Sequence, residues 1–144
     1  MTLKRFPLLV LSLLLVTGVI FLVGCAAKET RTATQIIEDV TSQEAFTLIR
    51  NNQNNPDFVI LDVRTPEEFA DGHIENAINM DFYSATFQDE LNDLDKDKTY
   101  LLYCRSGKRS GQTLETMKEL KFMKIYHMAG GMIEWTAEGL PTVE

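Results

Sequence analysis

The chain has 144 residues, 44% of them apolar and 24% charged, with 14 Lys and Arg against 21 Asp and Glu for a net charge of −7. That is the length of one domain with enough apolar side chains for a single core, and no second domain is expected. The acidic balance excludes nucleic acid as a principal partner, because neutralising a phosphate backbone takes a basic footprint.

Residues 1–24 differ from everything that follows. Lys4 and Arg5 precede an apolar run from Phe6 to Val23, interrupted only by Pro7, Ser12, Thr17 and Gly18, and the run ends at Gly24-Cys25. A charged start followed by an apolar stretch is an export signal and stands outside the fold. Leu22-Val23-Gly24-Cys25 resembles the bacterial lipobox, in which the signal is cut before a cysteine that then carries the lipid. The resemblance implies a signal peptide over 1–24, a lipidated Cys25 with a short polar tether over 25–34, and a domain over 35–144. It places the protein in the cell envelope, on the outer side of the cytoplasmic membrane or on the outer membrane. An uncleaved anchor is the competing reading, since about eighteen apolar residues is close to the minimum for a span. Without Lys4 and Arg5, 12 basic residues face 21 acidic ones, a net charge of −9. With Cys25 lipidated, Cys104 has no disulfide partner within the chain and stands as a free thiol outside the cytosol.

The domain then alternates strand and helix. Gln35–Val40 reads as a strand, and Thr41-Ser42-Gln43-Glu44 as a capping box for a helix bearing Ala45, Phe46, Leu48 and Ile49. Asn51 to Pro56 ends that helix. Asp57–Val63 is almost continuously apolar, as a strand covered on both faces must be. Thr65-Pro66-Glu67-Glu68 is a second capping box, with Pro66 at the first helical position and Asp71-Gly72 as the stop. Ala77–Met80 predicts a short strand, Ser84–Leu94 a helix, Asp95–Lys98 a charged turn and Thr99–Tyr103 a buried strand. After the segment Cys104–Ser110, Leu114, Met117 and Leu120 mark one face of a helix over Gln112–Leu120. Lys124–Met128 is the fifth strand, and Gly130-Gly131 opens a last short helix carrying Trp135. This alternation predicts an open, mainly parallel five-stranded α/β sheet with helices on both faces. Ligands of such sheets bind beyond the carboxyl ends of the strands, which is where Cys104 falls.

Cys104-Arg105-Ser106-Gly107-Lys108-Arg109-Ser110 is the candidate site. A strand turning through small residues into a helix leaves backbone N–H groups unpaired and converging on the first residue of the turn. Those amides, with Arg105, Lys108 and Arg109, lower a thiol pKa from about 8.5 to roughly 3.5–7.5. Cys104 is therefore expected to be a thiolate at neutral pH. A cysteine that merely packs would be followed by neutral residues rather than by three cations in five positions. Gly107 is expected in a crowded or left-handed conformation. In an acidic protein a local cationic loop suits a small anion better than a polyanion. Asp62, Arg64, His73 and Trp135 read as structural. No set of His, Cys and carboxylates has metal-ligand spacing, and neither metal nor cofactor is expected.

Three separated segments resemble the single-domain rhodaneses. Leu61-Asp62-Val63-Arg64 with Glu67-Glu68-Phe69, Gly72-His73-Ile74 and Ala77-Ile78-Asn79 is similar to that family's first signature. Cys104–Ser110 is similar to its active-site loop, and Gly130-Gly131 with Trp135, Gly139 and Pro141 to its closing signature. One departure is Lys121 before Phe122, where relatives often carry Gly; a left-handed Lys costs on the order of 1 kcal/mol there. The resemblance implies a five-stranded parallel α/β fold. It also implies that Cys104 takes a sulfane sulfur from a donor such as thiosulfate, holds it as a persulfide and passes it to a thiophilic acceptor.

Under that reading Arg105 and Lys108 hold the anionic end of the donor, while the backbone N–H groups from Arg105 through Ser110, including those of Ser106 and Gly107, stabilise the persulfide anion. Arg109 either shares this work or pairs with Asp62, Glu67 or Glu68 to brace the loop. The expected partners are a small anionic sulfur donor, a thiol or cyanide-like acceptor, and the membrane through the lipid on Cys25; a monomer is expected. Two rivals differ in class. A persulfide carrier or oxidant sensor would use the same loop without turnover. A cysteine phosphatase would place Arg six positions after Cys, whereas Arg109 is five after Cys104.

Overall fold

The structure, a computed structural model, describes residues 34–144. The expected signal peptide, Cys25 and nearly all of the tether therefore lie outside the described residues. In chain order the elements are β1 (Ile36–Val40), α1 (Ser42–Asn51), β2 (Phe58–Asp62), α2 (Pro66–Ala70), β3 (Ala77–Asn79), α3 (Phe87–Asp93), β4 (Thr99–Tyr103), α4 (Lys108–Glu119), β5 (Lys124–Met128) and α5 (Gly131–Ala137). The strands form one five-stranded sheet in the order β1-β5-β4-β2-β3, and every pairing is parallel. The expected α/β class with a parallel five-stranded sheet is what the chain adopts.

Period-two alternation sorts the strand residues between two cores. On one face Leu61, Tyr100, Leu102, Cys104 and Ile125 pack with Phe87 and Leu91 of α3 and Leu114 and Met117 of α4. On the other, Ile60, Leu101, Tyr103 and Met128 pack with Ala45 of α1 and Met132 and Trp135 of α5. Helices thus cover both faces, which is why β2 and β4 carry apolar side chains in unbroken runs. Cys104 falls on the face covered by α4 because it continues the register of Tyr100 and Leu102.

Both capping boxes form: Thr41 and Glu44 exchange side-chain and backbone hydrogen bonds at the start of α1, and Thr65 and Glu68 do so at the start of α2. Two helix starts differ from expectation. α3 begins at Phe87 rather than Ser84, because Ser84 closes a turn onto Asp81 and its hydroxyl lies 2.7 Å from Thr86 Oγ1, an arrangement that competes with helix. α4 begins at Lys108 rather than Gln112. Gly107, at φ 82°, turns the chain so sharply that the helix starts at the next residue. At the far end of α4, Lys121 sits at φ 67°, and Phe122 N–H closes onto the Met117 carbonyl at 3.1 Å. The left-handed helix end forms with Lys in the position that favours Gly.

Candidate active site

β4 ends at Tyr103, and Cys104 is the first residue beyond the carboxyl edge of the central strand. Its side chain is almost completely enclosed, at 1% exposure. Because α4 begins so early, Lys108, Arg109 and Ser110 form its first turn, whose free amides face back toward the sulfur. Burial pushes the Cys104 thiol up, but the Ser110 hydroxyl, 3.4 Å from Sγ, and the backbone N–H groups of Ser110, Ser106 and Arg109 outweigh it. The net result is a thiol held below its ordinary value. Hydrogen bonds lead the lowering, and the Arg109 guanidinium interacts with the sulfur as well.

The turn after β5 clamps this loop from the side. Met132 N–H donates to the Cys104 carbonyl at 2.9 Å and Ile133 N–H to the Arg105 carbonyl at 3.0 Å. Gly131, at φ 59°, makes the approach possible: a Cβ there would stand 2.6 Å from both of those carbonyl oxygens. A Cβ on Gly107 would stand 2.0 Å from the Ala129 carbonyl oxygen. The loop and the Gly130-Gly131 turn fit together only as backbone against backbone.

The three cations separate. Arg109 makes a two-pronged bond to Glu68 at 2.6 and 2.8 Å and lies over the Tyr83 ring. Arg109 in turn pulls the Glu68 carboxyl down to about 2. Arg105 and Lys108 are exposed with Ser106. Arg105 borders a cleft of about 490 Å³ lined also by Arg64, Glu68, Asp71, Met132 and Ile133. Asp62 does not meet Arg109. It binds Arg64 through contacts of 2.7 to 3.1 Å, and Arg64 also donates to the Gly72 carbonyl at 2.8 Å. His73 stacks on Phe69 with ring centroids 3.7 Å apart, and Trp135 is buried with Nε1 donating to the Pro141 carbonyl.

Sequence reading missed two residues that the fold brings to Ser110. His127 Nε2 lies 2.9 Å from Ser110 Oγ, and His127 Nδ1 lies 2.8 Å from Asp39 Oδ1. The available signal was periodicity: His127 shares a strand face with Ile125, so a polar side chain points where its neighbour is apolar. What it would meet depended on β1 lying beside β5, which no local pattern states.

A family model described as "Rhodanese-like domain" matches residues 42–138. A protein of Allochromatium vinosum named sulfurtransferase is 29% identical over 104 residues, covering 72% of this chain and 95% of that one. A tRNA uridine(34) hydroxylase of Photorhabdus laumondii is 35% identical over 98 residues, 61% of this chain but only 27% of that longer protein. Among solved structures, the polysulfide-sulfur transferase homodimer of Wolinella succinogenes aligns with a TM-score of 0.59 at 30% identity, over 74% of this chain and 78% of that one.

Proposed function

The chain belongs to the rhodanese-like family, and from that premise we infer that it is a sulfurtransferase working through a persulfide on Cys104. The observation that carries this reading is the enclosed thiol at the carboxyl edge of the central strand, 3.4 Å from the Ser110 hydroxyl and at the first turn of α4. In the first half-reaction the Cys104 thiolate attacks the sulfane sulfur of thiosulfate or a similar donor. The new S–S bond forms as the bond to the sulfonate sulfur breaks, and sulfite leaves with the electron pair. In the second, a thiolate or cyanide attacks the outer sulfur, and the S–S electrons return to Cys104. Neither step requires a metal or cofactor.

The amides of Ser106, Arg109 and Ser110 that lower the thiol are placed to hold the persulfide anion, and Gly107 sets their direction. Arg105 and Lys108, free at the mouth, take the anionic end of the donor. The enclosure of Cys104 favours a donor that offers a single sulfur atom at its tip. Arg109 argues against phosphatase chemistry, since the guanidinium that would bind a phosphoryl group already holds Glu68. Thiosulfate is expected to add one sulfur, about 32 Da, to the wild type and none to Cys104→Ala. Absence of the adduct sinks this reading. Thiocyanate formation that saturates with cyanide distinguishes enzyme from carrier.

Outside the described residues, the reading extends to cleavage before Cys25 and lipid attachment there. The domain would then be held as a monomer at an envelope membrane. Intact mass of the detergent-extracted protein tests it: retention of residues 1–24 would overturn it.

A further inference from the structure

At 1% exposure the Cys104 thiol has almost no direct contact with water, and side chains offer its proton a path. Ser110 Oγ lies 3.4 Å from Cys104 Sγ and 2.9 Å from His127 Nε2; His127 Nδ1 lies 2.8 Å from Asp39 Oδ1, on a side chain that is 72% exposed. Sulfur, hydroxyl, imidazole and carboxylate form an unbroken file from the buried thiol to solvent, assembled from the residue after β4 and from α4, β5 and β1. His127 itself is buried, at 6% exposure.

We propose that His127, oriented by Asp39, accepts the Cys104 proton through the Ser110 hydroxyl and so positions the ionised sulfur for reaction. The inference rests on Cys104 being the nucleophile of the proposed sulfur transfer.

The hydrogens can be counted. The Asp39 carboxylate only accepts, so His127 Nδ1 carries a hydrogen and Nε2 faces Ser110. With a neutral ring, Nε2 accepts the Ser110 O–H, and the Ser110 oxygen accepts the thiol S–H. On ionisation the S–H bond breaks and its proton joins Ser110 Oγ, while the original hydroxyl proton forms a new bond to Nε2. The thiolate then accepts from Ser110, Ser110 accepts from Nε2–H, and the imidazolium lies against Asp39. One proton moves, net charge is unchanged, and each polar atom keeps a partner in both states.

A purely structural role for the imidazole explains less. The Ser110 hydroxyl can turn its one hydrogen to the Gly107 carbonyl at 3.2 Å instead, so its contact with the ring is not dictated by the hydroxyl's own need for an acceptor. The groups around the ring also leave the relay as its main electrostatic context. β1 brings Asp39; β4 brings Leu102 in register and Cys104 beyond it; α4 brings Ser110 and Gly111, with Lys108 and Arg109 in the same first turn and Arg109 tied to Glu68.

The test is the pH dependence of iodoacetamide alkylation, read on the Cys104 peptide of the full chain, in wild type, His127→Gln and Asp39→Asn. His127→Gln is expected to raise the alkylation midpoint by about one pH unit, roughly a tenfold loss of rate below the midpoint, with Asp39→Asn shifting it the same way by less. The ¹⁵N shifts of the His127 imidazole, followed through the wild-type alkylation midpoint, should change there, and Cys104→Ala should move that change to another pH. Midpoints unchanged in both variants, or an imidazole indifferent to Cys104→Ala, would overturn the proposal. If His127→Gln does not fold, the exposed Asp39→Asn and the imidazole titration decide it. Loss of the thiosulfate adduct with coupled titration intact would defeat sulfur transfer alone; coupling absent with the adduct intact would defeat the relay alone.

Discussion

The adjacent strands β2 and β4 both run out into polar residues, yet the two ends do opposite things. At the end of β2, Asp62 and Arg64 close on each other: both carboxylate oxygens accept from the guanidinium, one also accepts the Arg64 N–H, and Nη2 of Arg64, already on Asp62, also reaches the Gly72 carbonyl. Beyond β4, several donors converge on one sulfur that can carry a charge or not. A polar cluster whose members are mutually satisfied holds shape. One whose donors converge on a titratable atom stabilises whatever anion forms there, and that is the physical requirement for a nucleophile.

The sharpest way to break the contrast is to empty each focus in turn. Cys104→Ala should abolish the sulfur adduct and all turnover while moving the melting temperature little, since a small buried side chain is exchanged for another. Asp62→Ala should do the reverse: it strands a buried guanidinium, and a loss of about 3–5 kcal/mol in urea unfolding is expected, with the alkylation midpoint of the folded fraction unchanged. If Asp62→Ala shifted that midpoint as strongly as the relay variants, the two strand ends would not be separable.

Gly131→Ala tests the clamp that joins the loop to α5. With φ at 59° and two carbonyl oxygens within 2.6 Å of the new carbon, a stability loss of about 1–3 kcal/mol and a slower-reacting Cys104 are expected together. Normal alkylation in a destabilised Gly131→Ala would show that the clamp serves folding only.

Glu68 offers a pH-resolved test. Its folded value of about 2 lies below the ordinary 4.5, so the Arg109 pair stabilises the fold fully above about pH 4.5, and that contribution is lost as pH falls toward 2. Against wild type, Glu68→Gln should be less stable by a constant amount near neutrality, and the difference should shrink across that acid window. A difference flat with pH would remove the ion pair from the account. The smallest effect is expected for Lys108→Ala, which is exposed: a few-fold rise in KM for thiosulfate with kcat held, and no change for a neutral persulfide donor. Equal losses with both donors would remove the electrostatic role at the mouth.

Much of this was legible from local chemistry. Strand and helix order, both capping boxes and the position of Cys104 at a strand end followed from patterns spanning a few residues, because caps and periodicity act over one or two turns. The left-handed Lys121 was legible too, from the sequence alone against its family. The start of α4 was not. Apolar periodicity begins at Leu114, while the helix itself begins where Gly107 reverses the backbone, and that earlier start brings Ser110 and its amide to the sulfur.

By itself the sequence determined that a thiol would stand at the edge of a parallel sheet among unpaired amides, since a strand, a glycine turn and a helix in succession leave those groups nowhere else to point. Which charged neighbours would be spent and which left free was decided only in three dimensions. Arg109 met Glu68 across 41 residues and His127 met Asp39 across 88. Such pairings depend on strand order and register, set by the burial of both sheet faces at once, and no local stretch of chain carries that information.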